Sequence, residues 1–534
     1  MARTTRICSL ALLLAGFWQP AAAKRSEPSA LGLYARARVG GGAEAVRTYQ
    51  AALTAAPDEP TVALHAYRQA VIGGDYALAL RAGQALERAG LVPPDVRLLF
   101  YIDALRNRDW KTATTRLIEI SHGADFAFMV PILADWLALG TGEPVFATGR
   151  ALPIGHDAYA QESRALLLLA RGNTVDGSIA VKTLWPLDPY RSQSLRLTAA
   201  ATLADRGQRE AAVALLIADD ASTNAAKLLI AKGDGLGIGV DSPAAGAAFL
   251  LSRMAGDLIT QNSPRAAVTL ARFAQFADPK NPRVALIVAG AFAIGKDKGI
   301  ALSLVDRLAK DPVYGSDAGS LRIDLLEATG DTNRAVAEAS ARAAFSPNDL
   351  ARVGDIEARR GNYPEAIAVF LKVLEGRPDG RANGPLFFAI GNAMDRARDW
   401  KSARPYLERA LTLMPGDPVL LNELGYGLIE NSEDTDRAVM FLSAAAQMKP
   451  DSAAIMDSLG WANYRLGRND LAIAGLERAV AMENADPEIG EHLGDAYWRG
   501  GRRVDARYSW AAARVQADGV MAARLDAKID RGLP

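Results

Sequence analysis

Four histidines (His65, His122, His156 and His492), one cysteine (Cys8) and a glycine-rich run at 233–239 are the places where this chain could hold a metal, a nucleophile or a phosphate. Each lacks the company its chemistry needs. A zinc site draws three or four His, Cys or carboxylate ligands together at short spacings. Here the histidines are scattered, and Glu491-His492 lacks the second histidine of a zinc-protease helix. His492 therefore reads as a packing or groove residue. The run from Gly233 to Gly239 has the glycine spacing of a dinucleotide loop, but such a loop must leave a buried strand and open a helix. Its flanks are alanine-rich and helical, so it reads as a flexible insertion between helical elements and, at most, a hinge. No Gly-x-Ser-x-Gly elbow or phosphate loop occurs. The expectation is a non-enzymatic chain with no cofactor, no metal and no catalytic residues.

Charge excludes a further class of partner. The 534 residues carry 61 basic and 61 acidic side chains with no lysine- or arginine-rich block, whereas nucleic-acid binding needs a basic face to displace counterions. The first 23 residues read as an export signal. Arg3 and Arg6 supply the positive start, Ile7 to Phe17 the apolar run, and Ala21-Ala22-Ala23 the small-residue cleavage site. The run is too short to span a bilayer, which takes about 20 apolar residues. Cys8 lies within the segment to be removed, and a cysteine-free mature chain suits an oxidising compartment. The expected location is the periplasm or beyond.

What remains is a pattern of small residues, and it sets the architecture. Ala45, Ala79, Ala113 and Ala147 stand 34 residues apart, as do Ala267 and Ala301. Towards the C-terminus Gly391, Gly425, Gly460 and Gly494 follow at intervals of 34, 35 and 34. Two alanine series, Ala403, Ala438, Ala472, Ala506 and Ala410, Ala445, Ala479, Ala513, keep step with them. Small residues at such a period let two antiparallel helices approach closely, while Leu407, Leu442, Leu476 and Trp510 fill the gaps. Gly361, Gly467 and Gly501 suit the reversal between helices, and Pro57, Pro279, Pro378, Pro415 and Pro450 end the units. Dividing length by period gives roughly 14 helix pairs.

These residues resemble the tetratricopeptide repeat family, most clearly in LGWANYRLGRNDLAIAGLERAV (459–480) and LGDAYWRGGRRVDARYSWAAA (493–513). The resemblance implies an all-α fold, a right-handed α-α superhelix. The expected division is a signal peptide at 1–23, repeats at 24–157, degenerate repeats with the glycine-rich insertion at 158–247, and further degenerate repeats at 248–346. Well-formed repeats follow at 347–520, and a capping helix or tail at 521–534.

The family resemblance also implies a binding face. First-helix positions 2, 5, 9 and 12, counted with the glycine at 8, line the concave side. In the last three units they give Asn422 and Tyr426, then Asp457, Trp461 and Tyr464, then Glu491, Asp495 and Trp498. This aromatic and acidic surface suits an extended or helical peptide segment with apolar and basic residues. Trp461 and Trp498 either face the groove or pack between helices; Trp400 and Trp510 are placed in packing. Tetratricopeptide domains that clamp a C-terminal carboxylate use lysine, asparagine and arginine, so acids at these positions argue against that ligand.

The run DSLGWANYRLGR…DPEIGEHLGDAYWRGGRRVDARYSW is similar to the end of a group of bacterial envelope tetratricopeptide proteins, some of which bring substrates to a carboxy-terminal processing protease. Those members carry a lipid-anchoring cysteine that this chain lacks. The implied function is a protein-binding scaffold of the cell envelope, an adaptor for an envelope protease, with peripheral association with outer-membrane proteins. The alternative is a periplasmic component of a polysaccharide or protein export assembly. A chain of that kind usually continues into a barrel of alternating strands, which is not found before Pro534. Neither the partner nor the oligomeric state is legible.

Overall fold

A computed structural model describes residues 29–40, 42–144, 157–184, 189–218, 220–343, 347–377, 380 and 383–534. The export signal at 1–23, Ala147, His156 and Pro378 lie outside the described residues. Within them the chain is all-α: 29 α-helices and no strand, mostly as consecutive antiparallel pairs. Among the described residues no helix is long and apolar enough to cross a membrane.

The small-residue register is the packing register. A Cβ added to Gly391, Gly425 or Gly460 would stand 2.7, 2.8 and 2.7 Å from Cγ of Leu407, Leu442 and Leu476 in the second helix of the same pair. Ala403, Ala438, Ala472 and Ala506 are fully buried at the same crossings. In the last pair a tryptophan replaces the leucine, and Trp510 fits directly against Gly494. Each fully buried leucine contributes about 2 kcal/mol. The helix starts are equally local: Asp417 accepts from the Val419 and Leu420 amides, with Pro418 on the first turn, and Asp486 and Pro487 repeat the device. Gly361, Gly467 and Gly501 close first helices at φ of 80, 72 and 81°. Arg398 and Ser432 occupy the equivalent turns at 66 and 55°, where a side chain costs more than glycine.

The chain divides into two compact units, Met1–Leu325 and Leu326–Pro534. In the first, the helices Pro243–Thr260 and Pro264–Ala277 form a hairpin that does more than stack on its sequence neighbours. It packs against Pro60–Gly73, Pro94–Arg106, Val130–Thr141 and Asp157–Ala170. Gly246 meets the ring of Trp136, and buried Arg272 donates through Nε and Nη2 to the Ile72 carbonyl at 3.2 and 2.8 Å, 200 residues away in sequence. Arg253 pairs with Asp257 at 2.9 Å and stands 3.5 Å from Glu162, itself paired with Arg191. The glycine-rich run leads into this hairpin and is held down: Leu236, Ile238 and Val240 are buried, and the Val240 amide donates to the Thr202 hydroxyl.

The second unit holds five consecutive pairs from Pro347 to Gln516. Their first helices are Pro347–Arg359, Gly384–Arg396, Pro418–Glu430, Ala453–Arg465 and Pro487–Arg499, and a last helix, Gly519–Arg531, follows them.

Candidate protein-binding groove

In the second unit the glycine at the helix crossing fixes which side chains of each first helix point away from the second. Asn422, Tyr426 and Asp457 do so together, lining an open groove of about 430 Å³. Asp395, Glu423 and Glu488 line it too. Burial holds the Asp395 and Glu423 carboxyls above the usual range, and burial with nearby carboxylates raises the Tyr426 phenol. Arg396 and Arg398 complete the charged lining. Asn422 is 8% exposed, and its side-chain oxygen has no hydrogen-bond partner.

At and beside the groove several acidic and aromatic residues are engaged within the chain. Asp457 holds His492 Nδ1 at 3.0 Å from each carboxylate oxygen. The imidazole stacks on Trp461 with ring centroids 4.0 Å apart, and Trp461 stacks on Tyr464 at 4.8 Å. Trp461 Nε1 donates to Glu430 at 2.7 Å. The indole of Trp461 is half-buried in this stack.

Glu491, Asp495 and Trp498 are covered by the last helix. Arg524 donates to Glu491 at 2.7 and 2.5 Å, and Lys528 reaches Glu491 at 2.6 Å and Asp495 at 2.7 Å. Against the cost of burial these cations lower the Glu491 carboxyl, whereas burial prevails at Asp495 and raises it. Trp510 Nε1 donates to Asp495 as well. Trp498 is buried against Trp510 and Gly532, with the Arg503 guanidinium 4.5 Å above its ring. Trp400 and Trp510 are both core residues, 8% and 0% exposed.

The eight expected groove residues therefore fall into three groups. Asn422, Tyr426 and Asp457 share one open groove, Trp461 and Tyr464 stack with His492 outside its lining, and Glu491, Asp495 and Trp498 sit under the capping helix. Asp395, Glu423 and Glu488 were not among the expected residues. Asp395 is at position 12 one unit earlier and Glu488 at position 2 of the last, so the rule extends to both. Glu423, at position 6, carries no such signal. Among the described residues no group of three or more His, Cys, Asp or Glu is placed to hold a metal ion.

Helix pairs on a 34-residue period, closed through glycine and alanine, have the architecture of a tetratricopeptide-repeat solenoid. No protein-family model matches the chain. A TPR repeat-containing protein of Pseudomonas aeruginosa is 29% identical over 110 residues, which is 21% of this chain and 18% of that protein. The match thus spans less than a fifth of that relative's length. Among solved structures, MamA of strain AMB-1 aligns with 34% of this chain and 99% of its own at 21% identity and a TM-score of 0.27. The Cut9–Hcn1 hetero-tetramer of the APC/C aligns with 92% of this chain and 93% of its own at 17% identity and a TM-score of 0.40.

Proposed function

We propose that this chain is a non-enzymatic scaffold of the bacterial cell envelope that holds partner polypeptides in the groove of its second unit. Tetratricopeptide-like proteins are protein-interaction scaffolds, and stacked repeats create extended concave binding surfaces. The observation that carries the reading is the open groove around Asn422, Tyr426 and Asp457. Its acids and aromatics suit segments with apolar and basic residues. The charged start, apolar run and alanine cleavage site of residues 1–23 support export. Within the envelope, the similarity of the last two repeats to protease adaptors makes delivery of substrates to a processing protease the role we assign.

Photocrosslinking in intact cells tests this. A crosslinking residue at Tyr426 should trap defined envelope proteins, a protease and its substrates among them, while one at exposed Met440 on a second helix should not. Equal trapping from both positions, or none from Tyr426, overturns the groove. Export-machine components trapped in place of a protease overturn the adaptor role. Retention of the tagged chain in the cytoplasm with an intact N-terminus overturns the envelope location.

A further inference from the structure

The second helix of the last pair, Arg503–Gln516, is apolar on two sides. Ala506, Trp510 and Ala513 form the buried one. Opposite them Val504, Tyr508 and Val515 are 67, 73 and 79% exposed, with exposed Ala511 among them. Spacings of 4, 3 and 4 residues set these four on one narrow stripe, the seam along which one helix packs another. The second helices Thr435–Met448, Asn469–Met482 and Arg503–Gln516 start at successive intervals of 34 residues. In the stripe's register the first carries Asp436, Ser443 and Gln447, and the next Asp470 and Glu477. Polar side chains thus keep this side in water in the inner repeats. The terminal helix lacks them, although the end of an array is where solubility calls for a polar face.

Two further observations say what the stripe receives. On one flank lies a hollow of about 280 Å³, with Val480, Leu493, Tyr497 and Tyr508 in its lining. It has room for one large apolar side chain, the kind of anchor on which helix docking depends. Asp486 and Asp505 also line it, but they are taken up by the Glu488 amide and by Arg502. On the other flank, helical spacing sets Arg503, Arg507 and Arg514 in a row. Arg514 pairs with Asp526. Exposed Arg503 and Arg507 make no ion pair among the described residues, and their guanidinium carbons stand 4.5 and 5.0 Å from the centre of the same Trp498 ring. Two guanidinium groups held on one indole repel each other, and an acid from outside relieves that repulsion.

We propose that this stripe is a docking seam for an amphipathic helix of a partner polypeptide. One large apolar side chain of that helix enters the hollow, and its acidic flank lies along Arg503 and Arg507. A second copy of this chain fits less well, because two such helices laid antiparallel set arginine flank against arginine flank. The seam is on a second helix and apart from the groove, so it does not depend on what the groove binds.

Fluorescence anisotropy with the full exported chain tests this. The probe is a labelled helical peptide of about five turns, with leucine along its seam and glutamate on both flanks to keep it monomeric. A second probe has lysine in place of glutamate. The glutamate probe should bind about tenfold or more tightly than the lysine probe at low salt. Tyr508→Ser and Val515→Ser should each weaken it about fivefold or more. Circular-dichroism melts should be unchanged for both, since both side chains stand in water. Arg503→Gln/Arg507→Gln should remove the preference for glutamate, and Tyr426→Ala, in the groove, should leave binding as it was. No binding of either probe, equal binding of the two, or full binding by Tyr508→Ser/Val515→Ser overturns the seam. Loss of binding in Tyr426→Ala alone assigns the probe to the groove and overturns it too. Self-association in ultracentrifugation, or sedimentation with phosphatidylglycerol vesicles, either one abolished by Tyr508→Ser, gives the stripe to a second copy or to lipid and overturns the partner helix.

Discussion

His492 Nδ1 lies 3.0 Å from both carboxylate oxygens of Asp457, a residue 35 positions earlier and one repeat away. Both side chains are buried, and the imidazole is stacked on Trp461. The pair ties the last two first helices together beside the groove.

This contact makes stability depend on pH. Burial works against the imidazolium, but the hydrogen bond and charge of Asp457, with Glu488 and Asp495 nearby, prevail and raise its pKa. A raised folded value means that the stabilisation is fully present below the ordinary histidine pKa and is lost as pH rises through the raised one. Thermal melts of the parent chain should therefore fall in Tm from mildly acidic to mildly alkaline pH. His492→Phe, which keeps the stack and removes the charge, should flatten that slope. A parent Tm independent of pH in this window would exclude the coupling.

The capping helix should depend on its two cations unequally. Lys528 is 15% exposed between two carboxylates that are 5% and 8% exposed, whereas Arg524 is 53% exposed. Removing one partner of a buried pair costs on the order of 3 kcal/mol, against below about 1 kcal/mol for an exposed one. Urea unfolding should rank Lys528→Ala well below Arg524→Ala in stability. The reverse order would mean that the helix is held chiefly by Leu525 and Ala522.

At the helix crossings, overpacking should be severe. Gly425→Val places its new atoms where Leu442 and the Ala438 carbonyl already stand. Such insertions cost about 1–3 kcal/mol. The double variant Gly425→Val/Leu442→Ala should recover part of the loss, and strict additivity of the two would show that they do not share the space.

One substitution should stabilise. Ser432 closes its helix at φ 55° where the equivalent turns at 361, 467 and 501 use glycine. Relief of left-handed strain, worth about 1–2 kcal/mol, outweighs the extra freedom glycine brings to the unfolded chain, about 0.4–1 kcal/mol. Ser432→Gly should therefore gain roughly 0.5–1 kcal/mol in urea unfolding. A loss would show that the exposed serine contributes more than the strain costs.

The sequence by itself determined the helix pair and its period, because those depend on neighbours in the chain. Gly391, Gly425 and Gly460 announce close crossings wherever they recur, and Asp417-Pro418 or Gly467 set helix ends through local hydrogen bonds and φ alone. The resemblance to tetratricopeptide repeats assigned Asn422, Tyr426 and Asp457 to one face. Only the tertiary structure decided which acids stay open. Glu491 and Asp495 look like Asp395 and Glu423 on paper, and they differ only in whether a helix bearing a base comes to rest beside them. The return of the hairpin at 243–277, with Arg272 on the Ile72 carbonyl, has no local signal either. A contact between residues 200 apart is settled by how the intervening pairs accumulate their turn, a sum over many packings that no short stretch of residues records.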